Sequence, residues 1–212
     1  VDRFEPEGHL DHIISFDTFI ELLLGISLSA AVGFRVFVPF LVLSFAAVVG
    51  HIDLPTNFDW LESSPALIVL ALACALEIGG YFIPWFDHAL DFIATPLAIV
   101  LGTFIVGHTS SDLSPVLQWT LAIIAGGGTA ALTKGLMNLL RGTSTAMTGG
   151  LTNPILSTIE LIAAIALTLL AITLPLVAGG LVIALLSFAL YKVGQFLLKL
   201  RSRLPESNTP IA

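Results

Sequence analysis

From residue 155 to residue 198 the chain reads ILSTIELIAAIALTLLAITLPLVAGGLVIALLSFALYKVGQFLL, and only Glu160 and Lys192 carry charge. A helix that crosses a bilayer needs about 20 predominantly apolar residues, because each adds about 1.5 Å against a hydrocarbon core of about 30 Å. This stretch is long enough for two crossings. Comparable runs recur upstream, giving six expected spans at 20–49, 65–83, 86–107, 116–140, 155–174 and 177–198. The third is the weakest, since Asp87, Asp91 and Pro96 interrupt its first half, and it reads alternatively as a short interfacial helix before a truncated span. The expected fold is all-α: a polytopic transmembrane helical bundle of about six spans over 20–198. A cytoplasmic or interfacial segment, 1–19, precedes it, and a basic, then disordered, cytoplasmic tail, 199–212, follows.

Composition excludes the alternatives. Charged residues make up 11% of the 212 positions and hydrophobic ones 56%, against about 25% charged in soluble domains. The formal net charge of −7 comes largely from acids in the first twenty-one residues and in Asp53–Glu62, outside the apolar spans. Nothing resembles a basic surface for nucleic acid. The single cysteine, Cys74, forbids an intrachain disulfide. No cofactor is expected. The opening VDRFEPEGHLDH lacks a basic stretch followed by an apolar core, so it does not read as a cleavable signal peptide.

Lysine and arginine near span ends set orientation. Lys192, Lys199, Arg201 and Arg203 place the C-terminal end in the cytoplasm, and counting back through six spans puts 141–154 and the N-terminus on that side too. The cell (inner) membrane is the expected location. Trp60 and Trp119 then belong to an outer aromatic belt, Trp85 and Tyr191 to an inner one. Six spans divide into possible halves, 20–107 and 116–198, which three helices each would orient oppositely. GISLSAAVGFR echoes IAGGGTAALTK, and SSPALIVLALACALE echoes TNPILSTIE. The small residues also have a packing role: Gly25/Ser29/Gly33 and Gly126/Ala130 let helices approach closely, within one chain or in a homo-oligomer.

Charges inside the spans are the candidate site. An ionised side chain at the bilayer centre costs about 2.5–3.5 kcal/mol on insertion scales, so each needs a partner or a function. Hairpin arithmetic pairs Arg35 with Glu77, and Lys134 with Glu160 close to Arg141. Two readings stand: pairs that fix helix register, or a substrate or ion pathway through Arg35, Glu77, Lys134, Arg141 and Glu160. Three bases against two acids tilt the pathway towards a small anion or an anionic lipid headgroup. Asp87, His88 and Asp91 follow Pro84 near a helix start, where the dipole favours carboxylates. They read as capping and interfacial anchoring, or as a cation or metal site. His9, Asp11 and His12 read as a solvated or interfacial segment. The stretch RGTSTAMTGGLTNP, 141–154, reads as a loop. It is either solvated or re-entrant, with Thr143, Ser144, Thr145 and Asn153 offering hydrogen bonds beside Arg141.

GISLSAAVGFRVFVPFLVLSFAA, then LPTNFDWLESSPALIVLALACALE, then IPWFDHALDFIATPLA, together resemble a family of bacterial integral membrane proteins catalogued as domain of unknown function 4126. The resemblance covers roughly 20–175, and Pro84, Trp85, Asp87 and Asp91 carry its most specific part. The family pattern has a charged residue just before Ile83-Pro84, where this chain reads Gly-Gly-Tyr-Phe. The resemblance implies the architecture and no particular activity. Three functions fit: a small-solute or ion transporter or channel; a non-catalytic scaffold, assembly factor or complex subunit; and an intramembrane enzyme acting on lipid through Asp87, His88 and Asp91. The last lacks a nucleophile elbow, a zincin motif or a complete lipid-transferase signature, so an enzyme is not the expected answer. The bilayer itself is the one partner common to all three.

Overall fold

A computed structural model describes residues 16–50, 52, 54, 56–80, 84–110 and 113–201, with the side chains of 56, 84–89, 197, 200 and 201 outside the description. The described residues form only helices and short connections. They are α1 (Phe16–Phe34), α2 (Val38–Val48), a 3₁₀ segment (Thr56–Glu62), α3 (Ser64–Gly80), α4 (Pro84–Thr109), α5 (Pro115–Leu121), a π turn (Ala122–Gly127), α6 (Gly128–Thr148), α7 (Asn153–Thr173) and α8 (Pro175–Arg201). Proline marks the starts. Pro39, Pro65, Pro84, Pro115, Pro154 and Pro175 hold the first or second position of α2, α3, α4, α5, α7 and α8, where the missing N–H would have had no helical partner.

Five segments are long and apolar enough to cross a membrane: Phe16–Phe34, Leu90–Thr109, Pro115–Thr148, Asn153–Thr173 and Pro175–Phe196. Their outer faces are apolar, as lipid requires: Phe19, Phe92, Ile124, Ile155 and Phe188 are all exposed. α1 is the central strut. Ser29 Oγ donates to the carbonyl of Gly102 at 3.0 Å, and Gly25 packs against Val106 and Thr109, so α1 and α4 run antiparallel. Gly33 meets Ala130 and Thr133 of α6, and Leu23 meets Gly179 at the start of α8. α1, α6 and α8 therefore run in one direction, with α4 and α7 against them. One end of the bundle holds Trp119 and the α7–α8 junction; the other holds Gly149 and the α6–α7 turn.

The first expected span, 20–49, is corrected: it is two helices, broken at 35–37. Pro39 disfavours helical backbone just before it and has no N–H to give. Beyond the break α2 doubles back towards the Trp119 end. Ser44 Oγ donates to the carbonyl of Leu61 at 2.6 Å, and Phe58 stands edge-on to Phe104 at 5.9 Å. α3 then returns to the level of the break. At eleven and seventeen residues, α2 and α3 are shorter than a typical span. The extra reversal changes the expected count of sides: residue 16 lies at the Trp119 end, and α8 finishes at the Gly149 end. The range 20–107 contributes four helices and 116–198 three consecutive stretches. α1 and α6, which hold most of the echoing stretches GISLSAAVGFR and IAGGGTAALTK, run the same way.

Two further expectations change. The third span, 86–107, lies in one continuous helix of 26 residues with Pro96 inside it, not in a short helix followed by a separate one. The 141–154 stretch is not a fourteen-residue loop, because α6 continues to Thr148. The turn is only 149–152, where Gly149 and Gly150 take φ of 64° and 88°, backbone that side chains with a Cβ resist.

The tightest approach is between α4 and the π turn. A Cβ on Gly102 would stand 2.7 Å from Ala130 Cβ and 2.8 Å from the Gly126 carbonyl oxygen, and one on Gly126 would collide with the Gly102 carbonyl. Gly128, two residues on, faces open space. Gly126→Val should therefore lower stability by about 1–3 kcal/mol through overpacking, and Gly128→Ala should leave it unchanged or raise it slightly. Thermal melting of both variants in detergent checks the contrast.

Candidate functional site

Lys134, Asn138 and Arg141 are spaced i, i+4, i+7 on α6 and so share one face. Opposite them, α4 offers Asp91 and Thr95, and α7 offers Ser157 and Glu160. Lys134 Nζ lies 2.9 Å from Asp91 Oδ1, and Arg141 Nε lies 3.9 Å from Asp91 Oδ2. The same arginine donates through Nη2 to Glu160 Oε2, and Arg35 Nε is 3.7 Å from that oxygen. Arg35 also donates to the Ser157 carbonyl at 3.0 Å and to the Ser157 hydroxyl. A continuous chain of charges results: Arg35, Glu160, Arg141, Asp91, Lys134. Arg35, Glu160 and Lys134 are at most 2% exposed. Glu160 is seven residues beyond Asn153, about 10 Å along α7 from the Gly149 end.

The expected partners are thus exchanged. Arg35 turns to α7, and Lys134 reaches Asp91 instead of Glu160. Glu77 takes a different role: its two oxygens accept the backbone N–H of Val36 at 2.8 Å and of Phe37 at 3.1 Å. These donors belong to the break before α2, and in lipid no water replaces a missing acceptor. Glu77 is the cap that lets the chain turn inside the bundle. With Asp91 counted, three bases face three acids among the described residues, so the basic excess behind the anion expectation disappears.

Asp87 and His88 lie outside the residues whose side chains are described. Among the described residues no three His, Cys, Asp or Glu side chains form a metal-ligating group, and Asp91 is engaged by two cations. Of the four polar residues after Arg141, Thr143 returns its hydroxyl to the Leu139 carbonyl at 2.8 Å on an exposed face. Ser144 meets Thr152 across the turn. Thr145 and Asn153 clasp α6 to α7, with Asn153 Nδ2 donating to Thr145 Oγ1 at 3.1 Å.

Above the charges lies a pocket of about 390 Å³, lined among the described residues by Asp91, Asn138, Arg141, Thr145, Asn153 and small residues of α6. It sits at the Gly149 end and closes on the charge chain. Asn138 Nδ2 donates to Thr95 Oγ1 at 3.3 Å, while Asn138 Oδ1 is buried with no donor among the described residues, as is Glu160 Oε1. Towards the Trp119 end the interior is packed with aromatic rings. His108 stacks on Phe104 at 3.9 Å and stands edge-on to Trp119 at 5.9 Å, and Phe58 closes against both Phe104 and His108. Below this plug, Gly102 and Gly126 bring two backbones together.

Asn138 and Ser157 were missed in the sequence, although Asn138 shares a helical face with Lys134 and Arg141. His108 and its aromatic neighbours carry no sequence signal beyond an aromatic enrichment near the span ends.

The chain matches the model of domain of unknown function DUF4126 over residues 22–194, most of its length. It belongs to that family of integral membrane proteins. No curated protein and no solved structure matches it.

Removing one partner of a buried ion pair costs about 3–5 kcal/mol, because the other charge stays behind. Glu160→Ala removes the carboxylate that Arg35 and Arg141 share and should show that loss. Glu77→Gln weakens two hydrogen bonds to a charged acceptor and should cost about 1–3 kcal/mol. Replacing Arg35 and Glu160 together by methionine should recover much of the single-site loss. Melting temperatures of the four proteins test this order.

Proposed function

We propose that the protein is a small-solute or ion transporter, with the pocket over Asp91, Asn138 and Arg141 as its binding site. The observation that carries this is a pocket that ends on a buried chain of charges. The cavity lies at the Gly149 end and stops on a buried chain of charges, while aromatic rings and close glycine packing fill the space between α1, α4 and the π turn towards the Trp119 end. A cavity bounded at depth by ionised groups suits a carrier, and 390 Å³ is within the range of small-molecule sites. Asp91 and Arg141 offer opposite charges, and Asn138 and Asn153 offer amides. The site therefore suits a small polar solute with both donor and acceptor character better than a simple anion.

The same reading assigns sides. Lys192, Lys199 and Arg201 lie towards the Gly149 end on α8, which goes to the cytoplasm of a bacterial inner membrane under the bias of basic residues. Residue 16 then faces outward, consistent with the acids Asp2, Glu5, Glu7 and Asp11 that precede it.

Liposomes containing the purified protein should pass protons, sodium, chloride or glycine faster than empty ones. Asp91→Asn should reduce that flux at least about tenfold, because it removes the charge shared by Lys134 and Arg141, while exposed Thr143→Ala leaves it unchanged. Wild-type liposomes no faster than empty ones for every probe would sink the reading in favour of a scaffold, in which the charges only fix helix register.

A further inference from the structure

A second cavity lies on the lipid side of the bundle, separate from the charge chain. It is a groove of about 650 Å³ between α6, α7 and α8, floored by Ala30 and Phe34 of α1. Along α8 it runs from Leu181 to Val193, about 18 Å at the helical rise. Its lining is apolar except for Thr133 and Lys192. Leu140, Leu185 and Phe188 on its walls are half or more exposed, so it opens sideways to the hydrocarbon.

Lys192 stands at one end. It is about 25 Å along α8 from Pro175, near the Gly149 end of the bundle. Its Nζ lies 5.5 Å from the centroid of the Phe188 ring, and no carboxylate among the described residues pairs with it. The groove thus offers an acyl-sized apolar trough inside the membrane and one cation at its interfacial end. Lys199 and Arg201 follow on the same helix, and Glu160, the nearest acid in sequence on α7, is turned inward to the arginines.

We infer that this groove holds one acyl chain of an anionic phospholipid, with Lys192 at its phosphate. The charge is what selects the occupant: an apolar trough alone would take any lipid tail or a helix of a second copy, and neither accounts for a cation at its mouth. The basic end of the bundle faces the leaflet in which anionic lipids concentrate. The inference is independent of transport, since the groove shares no lining residue with the polar pocket.

Native mass spectrometry of the detergent-purified protein, titrated with phosphatidylglycerol or phosphatidylcholine, tests it. One phosphatidylglycerol should bind in clear preference to phosphatidylcholine. Lys192→Gln should lower that preference about fivefold, the effect of one basic residue near an anionic headgroup. Ala166→Phe, at an exposed position in the groove wall, should weaken binding of both lipids about tenfold. Both variants are expected to melt like wild type, because neither side chain is buried. Unchanged preference in Lys192→Gln overturns the inference, and so does unchanged binding in Ala166→Phe. A dimer that Ala166→Phe dissociates, with no retained lipid, would assign the groove to a second copy instead.

Discussion

The carboxylate of Glu160 is the point on which the interior closes. It stands between Arg35, at the tip of the α1–α2 turn, and Arg141, on the long α5–α6 helix. Each guanidinium alone would be costly in an apolar bundle; Arg141 meets Glu160 from the preceding helix, nineteen residues away, and Arg35 from the other end of the chain. One acid therefore ties three separately inserted segments together. Asp91 does the same for Lys134 and Arg141, so four elements share one electrostatic unit. Such a unit is a poor source of net stability compared with apolar packing. Its value lies in registration: α1, α4, α6 and α7 can slide against one another only by separating charges.

The break in the first apolar run depends on a similar accounting for backbone groups. A turn at membrane depth leaves N–H groups that lipid cannot satisfy, and Glu77 meets two of them from a neighbouring helix. Arg35 completes the arrangement from the other side, because a cation just beyond the C-terminus of α1 complements that end of the helix dipole. The acid and base at this break are thus used separately, one on backbone and one on α7, and not on each other.

Much of this was legible in the sequence, for identifiable reasons. Length and apolarity alone mark α7 and α8, which carry only Glu160 and Lys192 between 155 and 198, whereas Asp87, Asp91 and Pro96 obscured the first half of α4. The starts of six helices follow from proline. Arg35, Glu77, Lys134, Arg141 and Glu160 are conspicuous because ionised groups inside spans are rare. Their pairing was not legible. Hairpin arithmetic assumes that adjacent spans face each other, whereas Arg35 meets a residue 122 positions away at Ser157. The α1–α2 reversal was hidden because 20–49 is long and apolar throughout. Only Arg35 and Pro39 mark the break, and a proline is compatible with a continuous membrane helix, as Pro96 shows within α4. The polar run after Arg141 misled in the opposite sense. Thr, Ser and Gly are weak helix formers, yet hydroxyl bonds across to α7 and within the helix keep it helical to Thr148.

The short return helix also bears on how the chain is made. At eleven residues, α2 is too short to span a bilayer, and the acid that offsets Arg35 belongs to α7, synthesised much later. While the first segments enter the membrane, the Arg35 turn has Glu77 for its backbone but no Glu160 for its side chain. The α1–α2 hairpin therefore reaches its final depth only after α7 has been inserted. The charge pairing of the first hairpin thus waits on a helix made more than a hundred residues later.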